Sequence, residues 1–126
     1  MVQQEHVTEN KRARGAAAEH LAAEYLTQNG MRIIEQNFRC RQGEIDLIGY
    51  HNGYLVFVEV KYRSTARNGV PQEAVGAAKQ RVICRVADYY RYRHKVPLST
   101  PVRYDVVAIS GEELQWYQNA FSHYYL

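Results

Sequence analysis

A chain of 126 residues, 46% of them hydrophobic, is long enough for one real core and too short for a second domain. Sixteen Lys and Arg against thirteen Asp and Glu give a net charge of +3, which permits a polyanionic partner without demanding one. The amino-terminal stretch (Met1, Val2, Gln3, Gln4, then Glu5, Glu9 and Lys11) has no apolar core for a signal peptide, and no run could span a membrane, so a cytoplasmic protein with no membrane partner is expected.

Residues 1–8 and 122–126 read as flexible ends of a single domain covering 1–126. The first helix is capped by Thr8 or Asn10 and stops at Asn29-Gly30. Its apolar stripe is Ala18, Leu21, Ala22, Tyr25 and Leu26, with His20, Glu24 and Gln28 opposite. Glu19 falls at the edge of that stripe, beside Ala22, Ala23 and Leu26. Small neighbours let its carboxylate approach a sheet closely, although a boundary carboxylate is most often just that. Met31 to Arg39 reads as an edge strand, followed by a basic turn, Arg39-Cys40-Arg41.

The informative stretch is Gly43 to Lys61. Asn52-Gly53 is the strongest short-range hairpin signal a sequence offers. With those two as the turn, His51 faces Tyr54, Tyr50 faces Leu55 and Ile48 faces Phe57. Continuing the count pairs Asp46 with Glu59 and Glu44 with Lys61, and by the period of two these share one face with Tyr50–Leu55 and Ile48–Phe57. The other face carries Ile45, Leu47, Val56, Val58 and Val60. Two carboxylates facing each other between strands this apolar repel by on the order of 4 kcal/mol. A divalent cation removes that cost, and Mg²⁺ suits a pair of carboxylates completed by waters. Lys61, two residues from Glu59 on the same face, would then orient a water or offset developing negative charge. The plainer alternative is a Glu44–Lys61 ion pair, with Asp46 and Glu59 solvated at the sheet end.

Arg63 to Gly69 is a polar loop, with Arg63 and Arg67 placed to meet a phosphate backbone or simply to face solvent. Pro71 opens a second helix with Gln72 and Glu73 in its first turn. Val75, Val82, Val86, Tyr89 and Tyr90 make its buried stripe, and Lys79 sits within it. A lysine there either reaches for the carboxylates or snorkels to water. Arg91-Tyr92-Arg93-His94-Lys95 closes the helix, where cations complement its carboxyl end. Interleaved with Tyr89, Tyr90 and Tyr92, Arg91 and Arg93 could also grip nucleic acid. Val102 to Ile109 is a strand turned at Ser110-Gly111-Glu112 into Leu114 to Tyr117, with Asp105 a structural hydrogen-bonding residue. Exposed aromatics at the carboxyl end would suit a homodimer surface. Cys40 and Cys84 are isolated, and the five histidines lack zinc-ligand spacing. No Walker lysine loop, dinucleotide glycine fingerprint or Gly-x-Ser-x-Gly elbow occurs.

Asp46 followed by Glu59-Val60-Lys61 resembles the Asp…(Asp/Glu)-x-Lys signature of the restriction-endonuclease-like nuclease superfamily. Gly15…Glu19, Asn37-Phe38-Arg39, Gly43 through Ile48, Val58 through Arg63, Glu73-Ala74-Val75, Lys79-Gln80, Arg103 through Val107 and Asn119-Ala120-Phe121 together resemble the YraN-type bacterial family, itself similar to archaeal Holliday-junction resolvases. The resemblance implies a restriction-endonuclease-like α/β fold: a mixed, mostly antiparallel sheet with helices on both faces. It implies a Mg²⁺- or Mn²⁺-dependent endonuclease acting on DNA more than RNA, with branched or structured DNA a candidate substrate, and leaving a 5′-phosphate. Asp46, Glu59 and Glu19 would hold the metal; Lys61, Lys79 and Gln80 would complete the catalytic set; Arg39, Arg63, Arg67, Arg91 and Arg93 would contact nucleic acid. A non-catalytic nucleic-acid-binding accessory protein on the same fold is the alternative.

Overall fold

The computed structural model describes residues 2–63 and 75–125. Helix α1 (Val2–Gln28) leads into strands β1 (Arg32–Cys40), β2 (Gly43–His51) and β3 (Tyr54–Arg63). Helix α2 (Ala77–Arg93) then precedes β4 (Val102–Ser110) and β5 (Glu113–Phe121). The five strands lie side by side in chain order; only β3 and β4 run parallel. The sheet is therefore mixed and mostly antiparallel, with a helix on each face, as the sequence leads one to expect.

The Asn52-Gly53 turn forms where predicted, with φ of 50° and 83°. Those left-handed values are what the twist of a two-residue hairpin requires, and Asn and Gly tolerate them best. Strand β3, central in the sheet, is buried on both faces from Leu55 to Val58. That explains its unbroken apolar run. One face packs Leu47, Val56, Val58, Val107 and Ile109 against Ala18, Ala22 and Leu26 of α1. The other packs Ile48, Leu55, Phe57 and Val106 against Ile83, Val86 and Tyr90 of α2.

Several boundaries and faces differ from expectation. Helix α1 begins at Val2, so Thr8 and Asn10 lie inside it. Leu21 and Tyr25 are exposed, and Ala23 is buried in their place. The helix rolls so that small side chains, which permit close approach, meet the sheet. This roll turns Glu19 toward the sheet as well. Strand β5 runs on to Phe121, well past Tyr117. On α2, Tyr90 is buried, as its place in the apolar stripe leads one to expect, and its stacking on His94 withdraws it from the base-stacking role also considered. The opening of the second helix at Pro71, Gln72 and Glu73 lies outside the described residues.

Asp105 is fully buried and fully satisfied. It accepts two bonds from Arg103, at 2.9 and 2.8 Å, one from Trp116 Nε1 at 2.8 Å and one from the Asn119 N–H at 2.9 Å. The same Arg103 guanidinium lies 3.0 Å from His51 Nδ1. This network ties β4 to β5 and to the turn end of the β2–β3 hairpin, the structural role expected of Asp105. Cys40 and Cys84 are both free thiols. Among the described residues, no helix is long and apolar enough to cross a membrane.

Gly43, at φ 151°, marks where α2 crosses closest to β2. A Cβ there would stand 2.6 Å from Val82 Cγ1 and 3.4 Å from Val86 Cγ2. Gly43→Ala should push α2 away from β2 and cost about 1–3 kcal/mol of stability, read by chemical denaturation. An unchanged denaturation midpoint would mean this contact yields freely.

Candidate metal and phosphodiester site

The β2–β3 ladder runs from His51–Tyr54 to Leu47–Val58 and then stops. The expected backbone pairs Asp46–Glu59 and Glu44–Lys61 do not form. The strands part instead, and Asp46 turns its carboxylate into the gap. Asp46 Oδ2 accepts the Val60 N–H at 2.8 Å, supplying that donor with a partner. The parting also breaks the period of two: Ile45 joins the core under α2, while Leu47 stays with α1. Glu44 does not meet Lys61. Arg39 Nε donates to Glu44 Oε2 at 2.9 Å, across the β1–β2 hairpin.

Asp46 and Glu59 nevertheless converge closely enough for the titration of each to depend on the other. Burial raises both above the ordinary carboxylate range. Glu59, a buried residue, is pushed up to about 7, chiefly by desolvation and next by the charge of Asp46. Lys79 and Lys61 pull it the other way. For Asp46 desolvation is again the main cause, and the Val60 N–H opposes it. Two acids that interact in this way share their titration, so the raised values belong to the pair. Shifts of this kind cluster where charge is kept for chemistry or ligand binding.

The lysines border the pair. Lys79 Nζ lies 4.0 Å from Glu59 Oε2, so α2 does direct this half-exposed side chain toward the carboxylates. Lys61 follows Glu59 by two residues on β3 and acts on it electrostatically. Glu19 approaches from α1; burial and then the charge of Asp46 raise its pKa, while the nearby Asn37 side chain and the charge of Arg39 oppose the rise. Sequence reasoning gave Asn37 no role.

Other expected site residues stand apart. Gln80 is buried, but its amide donates to the Val75 carbonyl and accepts from the Tyr124 hydroxyl, anchoring the approach to α2 and the carboxyl tail. Arg91 and Arg93 occupy the far end of α2, about 20 Å from Lys79 at a rise of about 1.5 Å per residue. Arg91 is engaged with Asp88 at 3.8 Å, and Arg93 donates to the Tyr89 hydroxyl at 3.3 Å. Arg39 is near the acids but paired with Glu44. Arg67 and the side chain of Arg63 lie outside the described residues.

The donor chemistry fits a hard divalent cation. Asp46 and Glu59 offer carboxylate oxygens whose mutual repulsion in a desolvated gap such an ion would relieve. Among the described residues, no three His, Cys, Asp or Glu side chains already stand at metal-ligand spacing. Two carboxylates completed by waters would be the set, a coordination that Mg²⁺ and Mn²⁺ accept.

A mixed sheet opened at an acidic pair, with lysines beside it and helices on both faces, defines an α/β domain of the architecture expected for restriction-endonuclease-like proteins. The chain belongs to the family described as Uncharacterised protein family UPF0102, whose model matches residues 18–109. A UPF0102 protein of Lachnoclostridium phytofermentans is 48% identical over 115 residues, covering 91% of this chain and 98% of its own. One from Symbiobacterium thermophilum is 53% identical over 97 residues, covering 75% and 80%. Among solved structures, a repair endonuclease from Pyrococcus abyssi aligns with a TM-score of 0.40 at 20% identity, over 76% of this chain and 39% of that one. At that level of likeness nothing about activity follows.

Proposed function

We propose that the protein is a Mg²⁺- or Mn²⁺-dependent nuclease that hydrolyses DNA phosphodiester bonds. The observation that carries this reading is the Asp46–Glu59 pair, brought together in a desolvated gap where the strands part, with Glu59 raised to about 7 and two lysines alongside. Asp46 and Glu59 would hold the ion, with Glu19 in support. When bound, such an ion polarises a phosphoryl oxygen and lowers the pKa of a water.

The chain's own residues do the rest. The Val60 N–H fixes one oxygen of Asp46, so the carboxylate is oriented before any ligand arrives. Lys79 compensates the charge on Glu59 from the α2 side and holds that side chain toward the gap. Lys61 carries an ammonium on the same strand, able to orient the attacking water and to offset charge developing on the phosphoryl group. Branched or structured DNA is the substrate form that the family resemblance favours.

The test is Mg²⁺-dependent cleavage of single-stranded, duplex and four-way DNA by purified protein, with Asp46→Ala as control. Cleavage that requires the metal and disappears in Asp46→Ala supports the reading. No cleavage of any of these forms removes it. Salt-sensitive DNA binding that survives both Asp46→Ala and Lys61→Ala, without turnover, would instead identify a nucleic-acid-binding accessory protein.

A further inference from the structure

Helix α2 carries two arginines that its own stability does not call for. Its first residues, Ala77 to Arg85, include Lys79, Arg81 and Arg85 and no acidic side chain. Lys79 is accounted for by Glu59. Arg81 and Arg85 are exposed, and among the described residues no carboxylate stands within ion-pair distance of either. Arg91 and Arg93 sit where cations complement the carboxyl end of a helix, a reason not open to arginines placed well before that end. Arg81 and Arg85 are one turn apart, so they share the solvent-facing ridge of the helix.

Arg81 is also held in place. Its guanidinium lies over the Tyr124 ring, 5.3 Å from the centroid. That residue is fixed at both ends: the Tyr124 N–H donates to Cys84 Sγ at 3.4 Å, and its hydroxyl donates to Gln80 Oε1 at 3.0 Å. Gln80 is itself buried and donates to the Val75 carbonyl at 2.8 Å. A carboxylate partner would offset the arginine's charge, as Glu44 does for Arg39. An aromatic face orients the guanidinium and leaves its charge and its N–H fork open to an anion. The carboxyl-terminal tail thus presets a cation that still has a charge to share. Lys79 joins this ridge to the acidic pair. Arg81 and Arg85 lie about 3 and about 9 Å beyond it along the helix axis, at about 1.5 Å per residue.

We propose that Arg81 and Arg85 form a phosphate-binding track for a nucleic-acid backbone leading to the Asp46–Glu59 pair, with Tyr124 the positioning residue for Arg81. The choice of nucleic acid over an acidic protein rests on the nuclease reading above, because a phosphodiester is the group on which the neighbouring acids and lysines would act. Guanidinium forks engage phosphate oxygens through two parallel hydrogen bonds. Contacts of this kind fix the register of a strand and read no bases. Tyr124 touches no phosphate in this role; it acts through Arg81, by reducing the freedom that the side chain loses on binding.

The experiment is DNA binding by fluorescence anisotropy in EDTA across a range of salt, on wild type, Arg81→Gln, Arg85→Gln and Tyr124→Leu. Each phosphate contact contributes about 0.9 to the slope of log affinity against log salt on duplex, and about 0.7 on single strands. Arg81→Gln and Arg85→Gln should each lower the slope by that amount and weaken binding about tenfold at about 50 mM salt. Tyr124→Leu keeps both charges, so it should weaken binding by a smaller factor at an unchanged slope. Arg32→Gln is the control. Arg32 also lies over a tyrosine, 5.2 Å from the Tyr50 centroid, but at the turn end of the β2–β3 hairpin. It stands five residues along β1 from the level of Asp46, about 17 Å, so its loss should leave the slope at the wild-type value. Wild-type slopes in folded Arg81→Gln and Arg85→Gln, or an equal drop in Arg32→Gln, overturn the track. So does a wild type that binds no DNA, or competition by polyglutamate as strong as that by DNA. Wild-type affinity in folded Tyr124→Leu overturns the positioning role. Binding carried by Arg81 and Arg85 in a protein that never cleaves DNA supports the track and removes the nuclease reading alone.

Discussion

Lys61→Ala should fold normally, bind DNA with nearly wild-type affinity and cleave it roughly 10²- to 10³-fold more slowly, the usual loss when one charge-stabilising group is removed. Folding should survive because the backbone at this position is held from outside. Lys61 lies opposite Ala108 in the parallel β3–β4 ladder, between Val60–Val107 and Tyr62–Ile109. Its side chain is half-buried at the open end of the sheet, so truncation leaves no sealed cavity. Binding should survive because one ammonium among several surface cations contributes little to backbone affinity. Turnover should not, because this cation lies two residues from Glu59 on the same strand, where the proposed hydrolysis would develop charge. Single-turnover cleavage measured beside a fluorescence binding titration separates the two effects. Lys61→Ala protein that cleaves at the wild-type rate removes this lysine from the chemistry.

The fold was legible wherever one residue type has a strong local reason to be where it is. Asn52-Gly53 and Asn29-Gly30 both announce chain reversals, since Asn52, Gly53 and Gly30 all take positive φ. The apolar run of β3 announced a strand covered on both sides. What the pattern concealed was where pairing stops. Counting outward from the turn gives correct partners as far as Leu47–Val58, and nothing in side-chain periodicity marks the end of a ladder. Asp46 and Glu59 were therefore expected as cross-strand partners, whereas they meet because the strands separate. The buried side of α1 was misread for a related reason. Leu21 and Tyr25 are the larger apolar groups, but a helix that lies close over a sheet buries its alanines, and only the tertiary distance decides this. The sequence reading ends β5 at Tyr117, whereas the strand continues to Phe121 with the Asn119 N–H held by buried Asp105. Asn37 has no role in the sequence reading although its residue type was the clue: asparagine is one of the few residues that can turn left-handed within a strand.

The Glu59 carboxyl makes the metal-free protein's stability fall as pH rises. Its folded value of about 7 exceeds the ordinary 4.5, because burial and the Asp46 charge favour the protonated form. Below pH 4.5 the folded and unfolded chains both hold this proton, and the group costs nothing. Between 4.5 and 7 the unfolded chain has released it while the folded chain still binds it, so the folded state loses ground with each step in pH. Each unit of difference corresponds to 1.36 kcal/mol, and the loss by neutral pH is on the order of 2–3 kcal/mol. Asp46 is shifted in the same direction and adds to the trend. Glu59→Gln removes this titration, so the wild-type stability minus that of Glu59→Gln should decline from pH 4.5 to 7 and flatten above it, with the histidines cancelling in the difference. Mg²⁺ should reverse the decline in the wild type, since an ion that binds only the folded state stabilises it in proportion to its occupancy, and should do little for Glu59→Gln. Denaturant titrations across this range, with and without Mg²⁺, measure both differences. A pH-independent difference, or equal stabilisation of the two proteins by Mg²⁺, would mean that the closeness of Asp46 and Glu59 is not held against their charge. In that case the strands part for packing reasons alone.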